Sequence, residues 1–122
     1  MNKENTAKLR ELFPSLLQQM DLPPSQTCMC WGFEYDDGWY QITHDMLSEI
    51  EAVDPEAQLM QAKEKWGRLR VYVDGNIEAR EIARNYEDIS AEVCEICGST
   101  EDVKPTTGGG WINYLCKECR DD

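Results

Sequence analysis

Residues 94–122 read CEICGSTEDVKPTTGGGWINYLCKECRDD, and the spacing of their cysteines organises the rest of the chain. Cys94 and Cys97 form one C-x2-C pair, Cys116 and Cys119 a second, with 18 residues between the pairs. Each pair can present two thiolates to one ion, and a hairpin between the pairs would bring all four to a single tetrahedral centre. Gly98, directly after Cys97, suits the tight turn that aims backbone amides at sulfur. Gly108 to Gly110 supply a turn, and Trp111 to Leu115 read as a short strand leading into the second pair. Four cysteines fill a tetrahedron and leave no position for water. The expectation is therefore one structural Zn2+ that adds folding free energy and hydrolyses nothing. Two redox C-x-x-C pairs, or four ordinary thiols, fit this spacing less well.

Upstream lies enough chain for one domain. The sequence has 122 residues, 41% hydrophobic and 30% charged, which places it in the globular range. Its charge is lopsided: 24 acids against 12 bases leave −12. That argues against a phosphate-tracking nucleic-acid binder and against adsorption to an anionic membrane. The cysteine module shares the bias, with three bases (Lys104, Lys117, Arg120) against six acids, so direct nucleic-acid binding by a ribbon of this kind is not expected. No apolar run reaches the roughly 18 residues needed to span a bilayer. The opening MNKENTAKLRELFPSLL lacks the apolar core and cleavage site of a secretory signal, so the expected location is the cytoplasm.

Apolar periodicity divides residues 1–93. Leu9, Leu12, Phe13, Leu16, Leu17 and Met20 recur at helical spacing from Asn5 to Met20, interrupted by Pro14, which predicts a kink or two short helices. Trp39, Ile42, Met46, Leu47, Ile50 and Val53 mark a second helix with Asp36 and Asp37 at its start. Ala57 to Glu64 and Arg68 to Val73 read as two strands around a Trp66-Gly67 turn. Ile82, Tyr86, Ile89 and Val93 mark a third helix from about Glu78 to Glu92. The predicted fold class is α+β: helices around a short antiparallel hairpin (1–93), followed by a four-cysteine zinc ribbon (94–122).

Other groups carry weaker signals. His44 is the only histidine and falls on the solvent flank of its helix, so nucleophilic triads and histidine–metal hydrolysis lack their parts. Met46 stands where the zinc deaminase signature requires glutamate. Enzymatic activity is therefore not expected. Cys28 and Cys30 read as small buried hydrophobes beside Trp31 and Phe33, with a nucleophilic cysteine assisted by His44 as the alternative. Charge is segregated: Glu34 to Glu56 holds eight acids and no base, whereas Lys63, Lys65, Arg68 and Arg70 make the hairpin a basic island. That island either pairs internally with the acidic helices or docks an acidic partner or a phosphate. Trp31, Trp39 and Trp66 could stack a base beside such a phosphate, which would make the protein a sponge for a small nucleotide.

Three segments in order, FEYDDGWYQI, QAKEKWGRLRVYV and CEICG…GGGWINYLCKEC, resemble a family of small phage and bacterial proteins without an assigned activity. The matching positions are Asp37, Gly38 and Trp39; Lys63 to Gly67, Leu69, Arg70 and Tyr72; and Cys94, Cys97, Gly98, Gly110, Trp111, Leu115, Cys116 and Cys119, so the match covers roughly residues 28 to 119. The family pattern often ends in Cys-x2-His where this chain has Cys116 and Cys119, and Asp36 replaces a smaller residue. The resemblance implies a phage or mobile-element setting. With small size and strong acidity, it leads to the expectation of a non-catalytic inhibitor that binds a host protein with a basic surface. Antiviral defence such as CRISPR is one such setting, and the inhibitor would compete there with nucleic acid through Glu49, Glu51 and Glu56.

Overall fold

Trp66 and Gly67 set the centre of the fold. Both adopt positive φ, 58° and 85°, the two-residue turn whose twist matches that of the strands it joins. The strands are β2 (Gln58–Lys65) and β3 (Arg68–Asp74), antiparallel, with a register shift between Leu59 and Gln61. Leu59, Ala62, Leu69 and Val71 are buried. Lys63 lies directly across from Arg70 and Lys65 from Arg68, so two pairs of like charges face each other. A third strand, β1 (Phe33–Glu34), runs parallel to β2, with Phe33 opposite Ala62 and Glu34 opposite Lys63, giving the order β1-β2-β3. The sequence pattern did not predict it, because two residues cannot establish a period.

The computed structural model describes residues 1–106 and 110–120. Helix α1 (Lys3–Leu12) begins where the Asn2 side chain accepts from the Asn5 N–H at 2.8 Å. It breaks just before Pro14, as the sequence predicted, but no second α-helix follows. Proline disfavours a helical residue before it, and Phe13 accordingly leaves the helix at φ −128°, ψ 56°. Residues 14–17 form a turn and Gln18–Asp21 a single 3-10 turn, yet Phe13, Leu16 and Leu17 still reach the core. The apolar stripe is right and the backbone carrying it is different.

Helix α2 (Tyr40–Val53) follows a 3-10 turn at Asp37–Trp39, and α3 (Ile77–Ile89) is capped by Asn76, whose side chain accepts from the Ala79 N–H at 2.9 Å. The two helices pack on each other, and α3 packs on β3. Trp39, with 0% exposure, lies in the same core as Met46, Leu47, Ile50, Leu59 and Leu69.

One buried polar chain crosses this core. The Thr43 hydroxyl donates to the Trp39 carbonyl at 2.7 Å and so accepts from the Tyr35 hydroxyl at 2.7 Å. Burial pushes the Tyr35 pKa well above its ordinary value, which keeps the phenol a donor. Thr43→Val removes the acceptor and strands that donor. Denaturant unfolding is expected to show a loss of about 1–3 kcal/mol, and unchanged stability would show that Tyr35 needs no partner there.

The C-terminal segment adds β4 (Lys104–Pro105) antiparallel to β5 (Tyr114–Leu115). The strand expected over Trp111–Leu115 is reduced to its last two residues. The turn expected at 108–110 lies, apart from Gly110, outside the described residues. The fold is α+β, as predicted.

Candidate metal centre

Each C-x2-C pair is shaped by its own backbone. The Gly98 N–H donates to the Cys94 carbonyl at 2.9 Å, with Gly98 at φ 81°, and the Cys94 N–H donates to the Ser99 carbonyl at 2.8 Å. In the second pair the Cys119 and Arg120 N–H groups both donate to the Cys116 carbonyl, at 3.2 and 2.9 Å. The Arg120 guanidinium then reaches the carbonyls of Asp102 (2.6 Å) and Leu115 (3.0 Å) and the Asp102 carboxylate (3.1 Å), tying the loop before β4 to the second pair.

These turns bring one sulfur from each of Cys94, Cys97, Cys116 and Cys119 to within 4.8 Å of one another. A tetrahedral thiolate centre with metal–sulfur bonds of about 2.3 Å needs sulfurs about 3.8 Å apart. Cys97 Sγ and Cys116 Sγ are separated by 3.6 Å. Burial raises the Cys94 thiol, but the amides of Cys116, Cys97 and Ile96 point at its sulfur and outweigh burial, bringing its pKa down to about 6. Cys119 is pushed the other way, first by its hydrogen bond with Cys116 and then by burial. Sulfurs this close compete for protons, because adjacent thiolates repel; a cation among them removes the conflict. Position and chemistry together allow these four residues to hold one metal ion. Among the described residues they are the only group of three or more cysteine, histidine or carboxylate side chains close enough to share one.

The centre is seated on the core by a glycine. The Gly38 N–H donates to the Glu95 carbonyl at 2.8 Å, and a Cβ at Gly38 would lie 2.2 Å from the Cys94 carbonyl oxygen. Beside it the Trp39 indole donates to the Val93 carbonyl at 2.9 Å. Glu95 is only 6% exposed and accepts from the Asp36 N–H at 3.2 Å; burial pushes its carboxyl up to about 7. Sequence reasoning assigned no role to Glu95, since nothing in the spacing shows that a charged residue between two ligands turns inward. At the turn between β2 and β3, Gly67 lies against Ile112, where a Cβ would come 2.8 Å from the carbonyl oxygen.

The remaining candidates are dispersed. Trp39 is wholly buried, so it cannot stack a ligand and is removed from that role; Trp31 (64% exposed) and Trp66 (69%) remain available. Cys28 is exposed and Cys30 half-buried, donating to the Thr27 carbonyl at 3.5 Å, contrary to the expectation of two buried thiols. Met29 between them enters the core instead. His44 is half-buried, its ring edge-on to Phe13 at 5.6 Å and its Nδ1 3.0 Å from Asp45. Of the basic island, Arg68 pairs with Asp88 at 2.8 Å, whereas among the described residues Lys63, Lys65 and Arg70 have no ion pair. Glu49 accepts a hydrogen bond from the Tyr86 hydroxyl; Glu49 and Glu56 are exposed and Glu51 half-buried. No helix among the described residues is long and apolar enough to cross a membrane.

The fold and the site together define an α+β protein with a cluster of four cysteines in its C-terminal segment, placed so as to be able to hold one metal ion. Comparison with protein-family models, with curated proteins and with solved structures gives no match to this chain.

Proposed function

We propose that this is a non-catalytic binding protein of phage type, held together by one structural zinc ion, which occupies a basic surface on a host protein. Four thiolates suit zinc, and a centre closed by four protein ligands stabilises without reacting. The observation that carries the binding role is the state of the acids on and after α2. Among the described residues, Glu49, Glu51 and Glu56 have no lysine or arginine within ion-pair distance. Glu51 stands in the last turn of α2, which holds no base. A carboxylate there meets the negative end of the helix dipole and is locally unfavourable. Uncompensated charge held against local preference supports a role outside the fold. An acidic face of this kind steers association with a basic groove and can displace nucleic acid from it.

A bacterial lysate bound to DNA-cellulose tests the reading. The protein is expected to elute a DNA-bound host protein at low salt, progressively less as salt rises. The combined variant E49K/E51K/E56K is expected to release none; because Glu49 also accepts from the Tyr86 hydroxyl, E51K/E56K, which leaves that bond in place, is the variant expected to weaken release while keeping its metal and its melting behaviour near those of the parent. Equal release by parent and variant would sink the acidic-face mechanism.

A further inference from the structure

Between β3 and α3 lies a cavity of about 280 Å³ whose lining includes Arg70, Arg80 and Arg84. Arg80 and Arg84 stand one turn apart on α3, and Arg70 comes from β3, where it already faces Lys63 across the hairpin. The wall beneath them is apolar, made by Val71, Val73 and Ala83.

None of these three guanidiniums has a hydrogen bond or an ion pair among the described residues; the side-chain bonds from arginine come from Arg10, Arg68 and Arg120. The one acid in the lining, Glu87, is ion-paired with none of the three; its Oε2 accepts from the Val71 N–H at 2.9 Å. In a chain with twice as many acids as bases, three arginines share a cavity with a single carboxylate, which leaves the lining with an excess of positive charge. Their mutual repulsion is relieved when an anion enters. A guanidinium is a planar fork of donors, matched to the paired oxygens of phosphate or carboxylate.

Two further features select among anions. β3 is an edge strand, but its outward N–H groups at Leu69 and Val71 are taken by the Ser90 hydroxyl (2.9 Å) and by Glu87. An acidic peptide adding itself as a further strand finds those donors occupied. A long nucleic acid meets the repulsion of a protein carrying −12, whereas a compact anion needs only the local field of the cavity. Tyr72, also in the lining and 48% exposed, offers an aromatic face at the mouth.

We propose that this cavity binds a nucleoside di- or triphosphate, its phosphate oxygens on Arg70, Arg80 and Arg84 and its base against Tyr72. The site is separate from the acidic face of α2 and from the metal centre.

Isothermal titration of the metal-loaded protein with ADP, ATP, GTP, inorganic pyrophosphate and single-stranded dT12 tests it. At least one nucleotide is expected to bind one-to-one, more tightly than pyrophosphate, which lacks a base. R80Q/R84Q is expected to weaken it by at least about tenfold, since charge-assisted hydrogen bonds are lost, and Tyr72→Ala by a smaller factor. Both arginines are exposed, so circular dichroism of the variant is expected to match the parent. Arg70→Gln, on the other element, gives an independent loss. E51K/E56K, which leaves the bond between Glu49 and Tyr86 of α3 intact, is expected to bind nucleotide undiminished, which separates this site from the acidic face. Flat titrations with every nucleotide, unchanged affinity in R80Q/R84Q and Arg70→Gln, pyrophosphate binding as tightly as nucleotide, or tighter binding of dT12 would each overturn the assignment.

Discussion

Chelation is expected to unfold the segment from Cys94 onward while the hairpin core stays folded. Beyond the bonds that Asp36, Gly38 and Trp39 make to Glu95 and Val93, that segment has little else to hold it: β4 and β5 are two residues each, and the cluster they enclose is Cys94, Leu115 and Cys116 with Val103 and Cys119 against it. Binding of structural zinc to small peptides contributes about 10–16 kcal/mol, far more than such a cluster supplies. The core has its own apolar interior, with Leu9, Trp39, Met46, Leu47, Ile50 and Leu69 nearly or fully buried. Hydrogen exchange before and after chelation is the direct measurement. Amides of residues 94–106 and 110–120 should lose protection, and those of β2, β3 and α3 should keep most of theirs. Cys116→Ser should behave like the chelated parent, whereas Cys28→Ser should retain one zinc by native mass spectrometry. Unchanged protection after chelation, in a protein that carries no metal when purified, would refute the centre.

The second large effect is expected at Gly38. An added Cβ would come within 2.2 Å of the Cys94 carbonyl oxygen and 2.3 Å of the Glu95 carbonyl oxygen, and both neighbours are backbone that cannot rotate away. The first C-x2-C turn must lift from the start of α2, lengthening the 2.8 Å bond from the Gly38 N–H. Gly38→Ala is expected to destabilise by about 3 kcal/mol, which for a domain of this size lowers the melting temperature by about 12 °C. Gly110→Ala is the comparison: its Cβ meets nothing within 4 Å, so only the cost of φ 75° remains. Equal melting of Gly38→Ala and parent would mean that the turn and the helix start are not in contact.

The elements fixed by local chemistry were legible before the structure. The spacing of Cys94, Cys97, Cys116 and Cys119 anticipated the cluster, and alternation at Leu69, Val71 and Val73 anticipated β3 to within a residue. What depends on distant partners was not. β1 exists because Phe33 and Glu34 find Ala62 and Lys63 beside them. Trp39 reads both as part of the apolar stripe of its helix and as an aromatic that could stack a ligand; the structure keeps only the first, and the partner of its indole, Val93, lies 54 residues away. Arg70, Arg80 and Arg84 lie on two elements, and their shared cavity follows from how α3 packs on β3. Pro14 shows the converse case: burial at Phe13, Leu16 and Leu17 was predictable, while the backbone that achieves it was set by the proline ring's exclusion of a helical Phe13.

The contact at Gly38 also bears on the order in which a nascent chain matures. The 3-10 turn that opens α2 has no side-chain cap of its own; Glu95 supplies acceptors instead, to the N–H groups of Asp36 and Gly38. The ribosome makes Glu95 nearly sixty residues later, together with the first two sulfurs of the metal centre. The start of α2 therefore stays unfinished until most of the protein has emerged. Whatever loosens the first C-x2-C turn is therefore expected to loosen the start of α2 with it.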